Sequence, residues 1–189
     1  SGKRSLMSCL ISKFEKESAP YIKIDRTPIG RTPRSNPATY TGISDKIRDI
    51  FASTEDAKKG GLAKSHFSFN SEAGRCPKCE GAGVIEIGMK FMGYVRTVCE
   101  LCNGKRFNDE VLKVKYKDKT ISDVLDLSVE EAIEFFKEYP QIIKTLRILS
   151  DLGTGYLKLG QTSSSLSGGE AQRIKLATYL SKAKRGGNI

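Results

Sequence analysis

The stretch that decides the fold is Cys76-Pro-Lys-Cys79-Glu-Gly-Ala-Gly83, together with its counterpart Cys99-Glu-Leu-Cys102-Asn-Gly104. Two Cys-x2-Cys pairs with nineteen residues between them offer four thiolates from two short knuckles, the donor set of a tetrahedral zinc site. For both pairs to meet at one ion, the chain between them must run out and return. The intervening residues predict that hairpin: Ile85, Ile87, Met89 and Phe91 alternate along one strand, Met92-Gly93 supplies a turn, and residues 94–98 come back. Gly81 and Gly104 each stand two residues past the second cysteine of their knuckle, where glycine permits the tight turn that aims backbone N–H groups at sulfur. Two disulfides or a redox Cys-x-x-Cys are the alternatives. No secretion signal favours disulfides, and two matched knuckles favour a metal. Four cysteines leave no open coordination position, so the expected Zn2+ is structural.

Working outward, 189 residues with 38% hydrophobic content suffice for one large domain or two small ones. No apolar run approaches the roughly 20 residues of a membrane span, and no targeting segment is visible, so a cytoplasmic protein without a membrane partner is expected. The formal charge is +10 and stays strongly positive after four thiolates and a dication are counted. That balance favours a polyanionic partner, most simply nucleic acid, over a merely solvated lysine surface. Cys9, left over and flanked by apolar residues, is expected to be a buried reduced thiol.

The chain opens on Ser1-Gly2-Lys3-Arg4-Ser5, which matches the tail of a phosphate-binding loop, GxxxxGK[ST], with Arg4 where the magnesium-holding hydroxyl is expected. A helix over 6–14 follows, with Leu6, Leu10 and Phe14 on one face, then a short buried strand over 20–25. Residues 27–42 carry three prolines and two glycines, which forbid a helix, and present Arg31 and Arg34 from a stiffened loop suited to phosphate. A helix over 44–51 should turn Ile47, Ile50 and Phe51 inward, and Ser53 is placed to cap another. Lys58, Lys59 and Lys64 cluster around Gly60-Gly61, His66 reads as solvated or locally hydrogen-bonded and not as a metal ligand, and Phe67 with Phe69 reads as a strand. Lys105 and Arg106 extend the basic surface past the second knuckle. Residues 111–116 alternate as a half-exposed strand, Ser128-x-x-Glu131 opens a helix that Pro140 stops, and 142–152 forms a second helix capped by Gly153.

A second informative string is Leu166-Ser-Gly-Gly-Glu-Ala-Gln-Arg-Ile-Lys-Leu-Ala177. Ser167, Gly168 and Gly169 sit where a helix begins, and free N–H groups beside a serine hydroxyl form an anion-binding cap. The string is similar to the signature motif of ABC-type ATPases. Together with the phosphate-loop tail, the four-cysteine module, and the runs IDRTPIGRTPRSNPATYTG and FSFNSEAGRCPKCEGAG, it resembles the second ATPase half of the UvrA family of excinuclease ATPases over essentially the whole chain.

The resemblance implies a DNA-damage recognition component of nucleotide excision repair. Ser167, Gly168 and Gly169 would close on ATP held by another ATPase unit, and Lys3 would match the phosphate-loop lysine. Arg31, Arg34, Lys58, Lys59, Lys64, Lys105 and Arg106 would contact damaged double-stranded DNA. ATP and Mg2+ are the implied cofactors of the parent protein; a homodimer and UvrB, the helicase-like component of the excinuclease, are its implied partners. The expected fold is α+β: a mainly helical signature subdomain with an inserted four-cysteine zinc-ribbon hairpin and an incomplete ATPase core. The expected parts are a core remnant (1–26), a basic loop with helices (27–75), the zinc module (76–106) and the signature-domain helices (107–189). No Walker B strand is visible, so this stretch alone is expected not to hydrolyse ATP. The competing reading is a DnaJ-type zinc chaperone module binding unfolded polypeptide, which CPKCEGAG resembles; a transporter ATPase shares the signature but lacks a zinc insertion.

Overall fold

A computed structural model describes residues 2–18, 21–89 and 93–182. The expected Phe91 position and Met92 turn lie outside these residues, as does the side chain of Lys3.

Short helices built on side-chain caps make up most of the chain. Helix α1 spans Gly2–Lys16. Helix α2 (Pro37–Thr41) lies in the stretch expected to exclude a helix: Pro37 opens it where its missing N–H costs nothing, and the cap is reciprocal, the Asn36 side chain accepting the Thr39 N–H and Thr39 Oγ1 the Asn36 N–H. Helix α3 (Ile43–Ser53) buries Ile43, Ile47, Ile50 and Phe51; the last three are the inward set that the sequence predicts, and Ile43 joins them. Thr54, not Ser53, caps α4 (Glu55–Lys59), its hydroxyl accepting the Ala57 N–H. A 3-10 turn follows at Lys64–Phe67. Beyond the hairpin come α5 (Asp109–Lys113), α6 (Ile121–Asp126), α7 (Val129–Phe135), α8 (Pro140–Leu149) and α9 (Gly168–Lys182). The predicted Ser128–Glu131 capping box is present at α7.

The largest core gathers α3, α8 and α9 around Phe51, Phe67, Phe107, Phe136, Ile142, Leu146, Leu149, Leu159 and Ile174, all fully buried. It draws on residues both before and after the four cysteines, which form a separate buried cluster. The only sheet among the described residues is the antiparallel pair β1 (Val84–Met89) and β2 (Gly93–Val98), in register from Val84 opposite Val98 to Met89 opposite Gly93.

Several expected elements differ. Residues 111–116 are not a strand: Asn108 accepts the Val111 N–H, Asp109 and Glu110 fill the first turn, and the resulting α5 buries Val111 while Val114 follows into the core. A good N-cap with acidic first-turn residues outweighs an apolar-lysine alternation. Phe67 and Phe69 are both buried, but the Ala63 N–H bonds His66 Nδ1 at 3.0 Å and closes a turn instead of a strand. Residues 21–25 have no partner strand among the described residues; Ile22 is exposed and Ile24 half-buried. Pro140 opens α8 at the position where its missing N–H costs nothing, and α7 ends earlier, at Phe135. The apolar face of α1 (Leu6, Leu10, Phe14) is exposed, and so is Cys9, against the expected burial.

Candidate metal centre and signature-helix cap

The four cysteines converge. Cys76, Cys79, Cys99 and Cys102 are buried, and their sulfurs lie within 4.8 Å of one another. Cys76 and Cys99 sulfurs are 3.9 Å apart, and those of Cys79 and Cys102 are 3.6 Å apart. A Zn–S bond of about 2.3 Å in tetrahedral geometry places sulfurs about 3.8 Å apart, close to these two separations, so the cluster is of the size the ion requires. The two knuckles are built alike. Gly81 and Gly104 take left-handed φ of 83° and 81°. Four residues past each second cysteine a backbone N–H reaches its sulfur, from Gly83 to Cys79 at 3.3 Å and from Arg106 to Cys102. Burial pushes the Cys102 thiol up to about 12. Burial acts the same way on Cys99, but the N–H groups of Cys102 and Leu101, together with the Cys102 and Cys79 side chains, outweigh it and bring that thiol down to about 7. These N–H groups stabilise thiolates, the form a metal requires.

The cap of α9 is preformed too. Ser167 Oγ accepts the Glu170 N–H at 3.3 Å, and the Glu170 carboxylate accepts the Ser167 N–H at 2.6 Å. This is a capping box, Ser-x-x-Glu, at the position that the sequence reading takes as a helix start with an anion-binding cap. The Tyr156 hydroxyl donates to the other Glu170 oxygen at 2.6 Å. That bond and the one from Ser167 hold Glu170 below the usual carboxylate range, and the same contact raises Tyr156. With its lone pair used by the Glu170 N–H, the Ser167 hydroxyl keeps its own proton free to donate. Gly168 and Gly169 leave the first turn bare, and a Cβ on Gly168 would meet Arg26 at 3.2 Å.

Residues 24–27 run along the flank of α9, a clamp that no motif announces. Gln172 donates to the Ile24 carbonyl at 3.1 Å and accepts from Arg26 at 3.3 Å. Lys175 bonds Thr27 at 2.6 Å and pairs with Asp25. The Lys175 ammonium, then the Thr27 hydroxyl and N–H, hold the Asp25 carboxyl down at about 2. Because the folded value is depressed, the clamp's contribution is complete above the ordinary value of 3.8 and disappears as pH falls through about 2. An NMR titration should show this, and Lys175→Met should return Asp25 toward 3.8. An unchanged Asp25 titration in that variant would refute the pairing.

The basic residues predicted for DNA are divided by the fold. Arg31, Lys58 and Lys105 are exposed. Lys59 pairs with Glu55 at 3.6 Å and Lys64 with Asp49 at 2.7 Å, both at the surface. Arg34 reaches Glu80, inside the first knuckle, at 3.5 Å, a partner that charge and spacing do not reveal. Arg106 is drawn inward: its guanidinium lies 5.4 Å from the Phe69 ring centroid, Nη1 is buried without a hydrogen-bond partner among the described residues, and burial lowers its pKa. It is a poor phosphate contact in this arrangement and serves to pack the metal module on the body.

No model of a known protein family matches the chain. Individual proteins do. The chain is 56% identical over 165 residues to the UvrABC system protein A of Clostridium tetani, covering 87% of the chain and 18% of that protein. The Bacillus subtilis UvrABC system protein A gives 56% over 165 residues, 87% of the chain and 17% of that protein. The crystal structure of UvrA2 from Deinococcus radiodurans superposes with a TM-score of 0.81 at 50% identity, over 84% of the chain and 20% of that structure. The chain thus spans less than a fifth of the length of the curated relatives it matches. With identity above one half across nearly nine-tenths of its residues, the chain belongs to the UvrA family over the stretch it shares with those proteins.

Proposed function

We propose that this chain is the zinc-bearing, signature-motif part of a damage-recognition ATPase in nucleotide excision repair, acting on duplex DNA in the cytoplasm. The observation that carries the reading is the presence, in one UvrA-like chain, of a four-sulfur cluster sized for zinc and a helix start capped by Ser167 with two glycines behind it. Cys76, Cys79, Cys99 and Cys102 would hold the ion, which supplies a structural cross-link and no open position for chemistry.

Ser167 would donate its hydroxyl, and Gly168 and Gly169 their N–H groups, to the terminal phosphate of a magnesium-bound ATP carried by another ATPase unit. Lys3 would belong to the phosphate loop of this unit. Arg31, Arg34, Lys58, Lys59, Lys64 and Lys105 would supply the phosphodiester contacts. The helical body would form the signature subdomain, residues 76–106 the zinc module, and residues 1–26 part of the ATPase core. The helicase-like UvrB would take over the lesion, and two copies of the parent would pair. No described helix is long and apolar enough to cross a membrane. Nothing in the cysteine cluster or the comparisons favours a chaperone module.

The test is binding to one duplex, with and without a bulky adduct, at two salt concentrations. Each phosphate contact should steepen the log–log salt dependence by about 0.9. The adduct should tighten binding in zinc-loaded protein and lose that effect after chelation. Absence of binding to either duplex at low salt would refute the reading.

A further inference from the structure

Asn103-Gly104 closes the second knuckle, and it is the one Asn-Gly pair in the chain. The two residues form the centre of a tight turn: φ is 47° at Asn103 and 81° at Gly104, and the Lys105 N–H donates to the Cys102 carbonyl at 2.8 Å. Two positive φ values with that bond make a type I′ turn, for which Asn-Gly is a favoured pair. The first knuckle makes the same turn with Glu80 (φ 49°) and Gly81 (φ 83°), closed by the Ala82 N–H on the Cys79 carbonyl at 2.9 Å. Glutamate therefore serves at this position, and asparagine brings a reactivity that glutamate lacks. Asn103 is exposed, and a Cβ on Gly104 would meet only Val98 Cγ1, so the turn is open on the side of its central peptide.

We propose that Asn103-Gly104 is a deamidation site that the bound metal keeps closed, so that losing zinc starts an irreversible loss of the second knuckle. The inference rests on the four-cysteine metal site proposed above and not on DNA or ATP binding. In the reaction the Gly104 nitrogen gives up its proton and bonds Asn103 Cγ, the Cγ–Nδ2 bond breaks, and ammonia leaves with that proton. The succinimide so formed takes up one water. Opening at one carbonyl gives aspartate; opening at the other gives isoaspartate, whose backbone runs through an extra carbon. Ring closure requires the Gly104 nitrogen on the same side as the Asn103 Cβ. A type I′ turn holds ψ at about 30° at its first central residue, which sets that nitrogen nearly opposite the Cβ. The reaction must therefore wait until the turn and its Lys105–Cys102 bond break. Cys102 opens the turn and belongs to the four-sulfur cluster, so a metal on that cluster holds the turn at its first residue. An extra backbone carbon at 103 would carry the Lys105 and Arg106 N–H groups away from the Cys102 carbonyl and sulfur. Isoaspartate thus keeps the knuckle from reforming.

The experiment incubates the 189-residue chain, zinc-loaded or chelated, at mildly alkaline pH and follows residue 103 by peptide mass spectrometry, with enzymatic methylation to count isoaspartate. Metal analysis at the start checks that the chain takes up zinc. Conversion at Asn103 should run at least about tenfold faster in chelated protein, because a metal worth about 10 kcal/mol or more leaves the loaded turn open only rarely. Asn103→Glu, which copies Glu80, should bind zinc and show no conversion at that residue in either state. When zinc is returned to the aged, chelated chain, only the fraction without isoaspartate should take it up. Asn103→Asp separates charge from backbone: it should bind zinc within roughly threefold of the parent chain, since aspartate tolerates the left-handed turn and an exposed charge is worth little. Equal conversion rates in the two states, or no conversion at Asn103 after chelation, overturn the proposal. Full zinc uptake by chains that carry isoaspartate overturns the irreversible step. A chain that takes up no zinc at the outset is a separate result, and it removes the metal centre and its protection of Asn103 together.

Discussion

Stripping the metal with a chelator should abolish protection of residues 76–106 while the helical body keeps its far-ultraviolet signal. The cysteines form a cluster of their own, with Ile85 the single partly buried apolar side chain packed on it among the described residues. The rest of the ribbon offers little: Ile87, Val95 and Val98 are 49%, 40% and 63% exposed. A two-stranded hairpin is marginal by itself, whereas a structural zinc contributes about 10 kcal/mol or more to the fold it closes. The body does not need that contribution. Its seam with the module includes the Arg106 guanidinium over Phe69, itself edge-on to Phe107, the close approach of Gly81 to the Phe69 carbonyl, and the Arg34–Glu80 pair. Both phenylalanines belong to the large core, so they stay packed when the knuckles open. Cys99→Ser should reproduce the chelated state. Release should quicken in acid, because protons compete with the metal for buried thiolates. Simultaneous loss of all helical signal would show that the module is part of one cooperative core, and would refute the separation.

The metal centre is legible because its information is local. Spacing of cysteines, an alternating run and two glycines determine a knuckle pair and a hairpin with no help from distant residues, and Ser128–Glu131 is equally self-contained. What is not legible depends on who is nearby. The alternation at 111–116 has the same binary pattern as a strand, and only the Asn108 cap with a core waiting for Val111 and Val114 makes it helical. Residues 20–25 look like a strand because Ile22 and Ile24 alternate, but the fold uses their neighbours as a polar clamp on α9, through Asp25, Arg26 and Thr27. Charge alone singles out the basic residues, and charge cannot tell Arg31 at the surface from Arg106 packed over the Phe69 ring. The signature cap is legible as a helix start, while its second partner, Tyr156, lies fourteen residues away in sequence and carries no motif.

The sharpest separation of sequence from structure concerns the twin glycines of the knuckles. Gly81 and Gly104 occupy the same motif position with nearly the same φ, so a side chain at either costs about 1–2 kcal/mol in backbone strain. Their surroundings differ. A Cβ on Gly104 would meet only Val98 Cγ1, at an ordinary 3.6 Å. A Cβ on Gly81 would lie 1.8 Å from the Phe69 carbonyl oxygen and 3.3 Å from Phe69 Cβ. That oxygen cannot step aside, because Phe69 is 4% exposed and wedged against Phe107 at 5.8 Å. Gly81→Ala must therefore push the first knuckle off the body, adding an overpacking cost of about 1–3 kcal/mol to the strain. The push also misdirects the Gly83 N–H that serves Cys79. Competition with a chromophoric chelator should show zinc affinity falling by roughly 100-fold in Gly81→Ala and by no more than roughly 10-fold in Gly104→Ala, the ratios that about 3 and about 1.4 kcal/mol correspond to. Equal losses in the two variants would mean that strain at the turn decides both. The close approach of the first knuckle to Phe69 would then have no energetic weight.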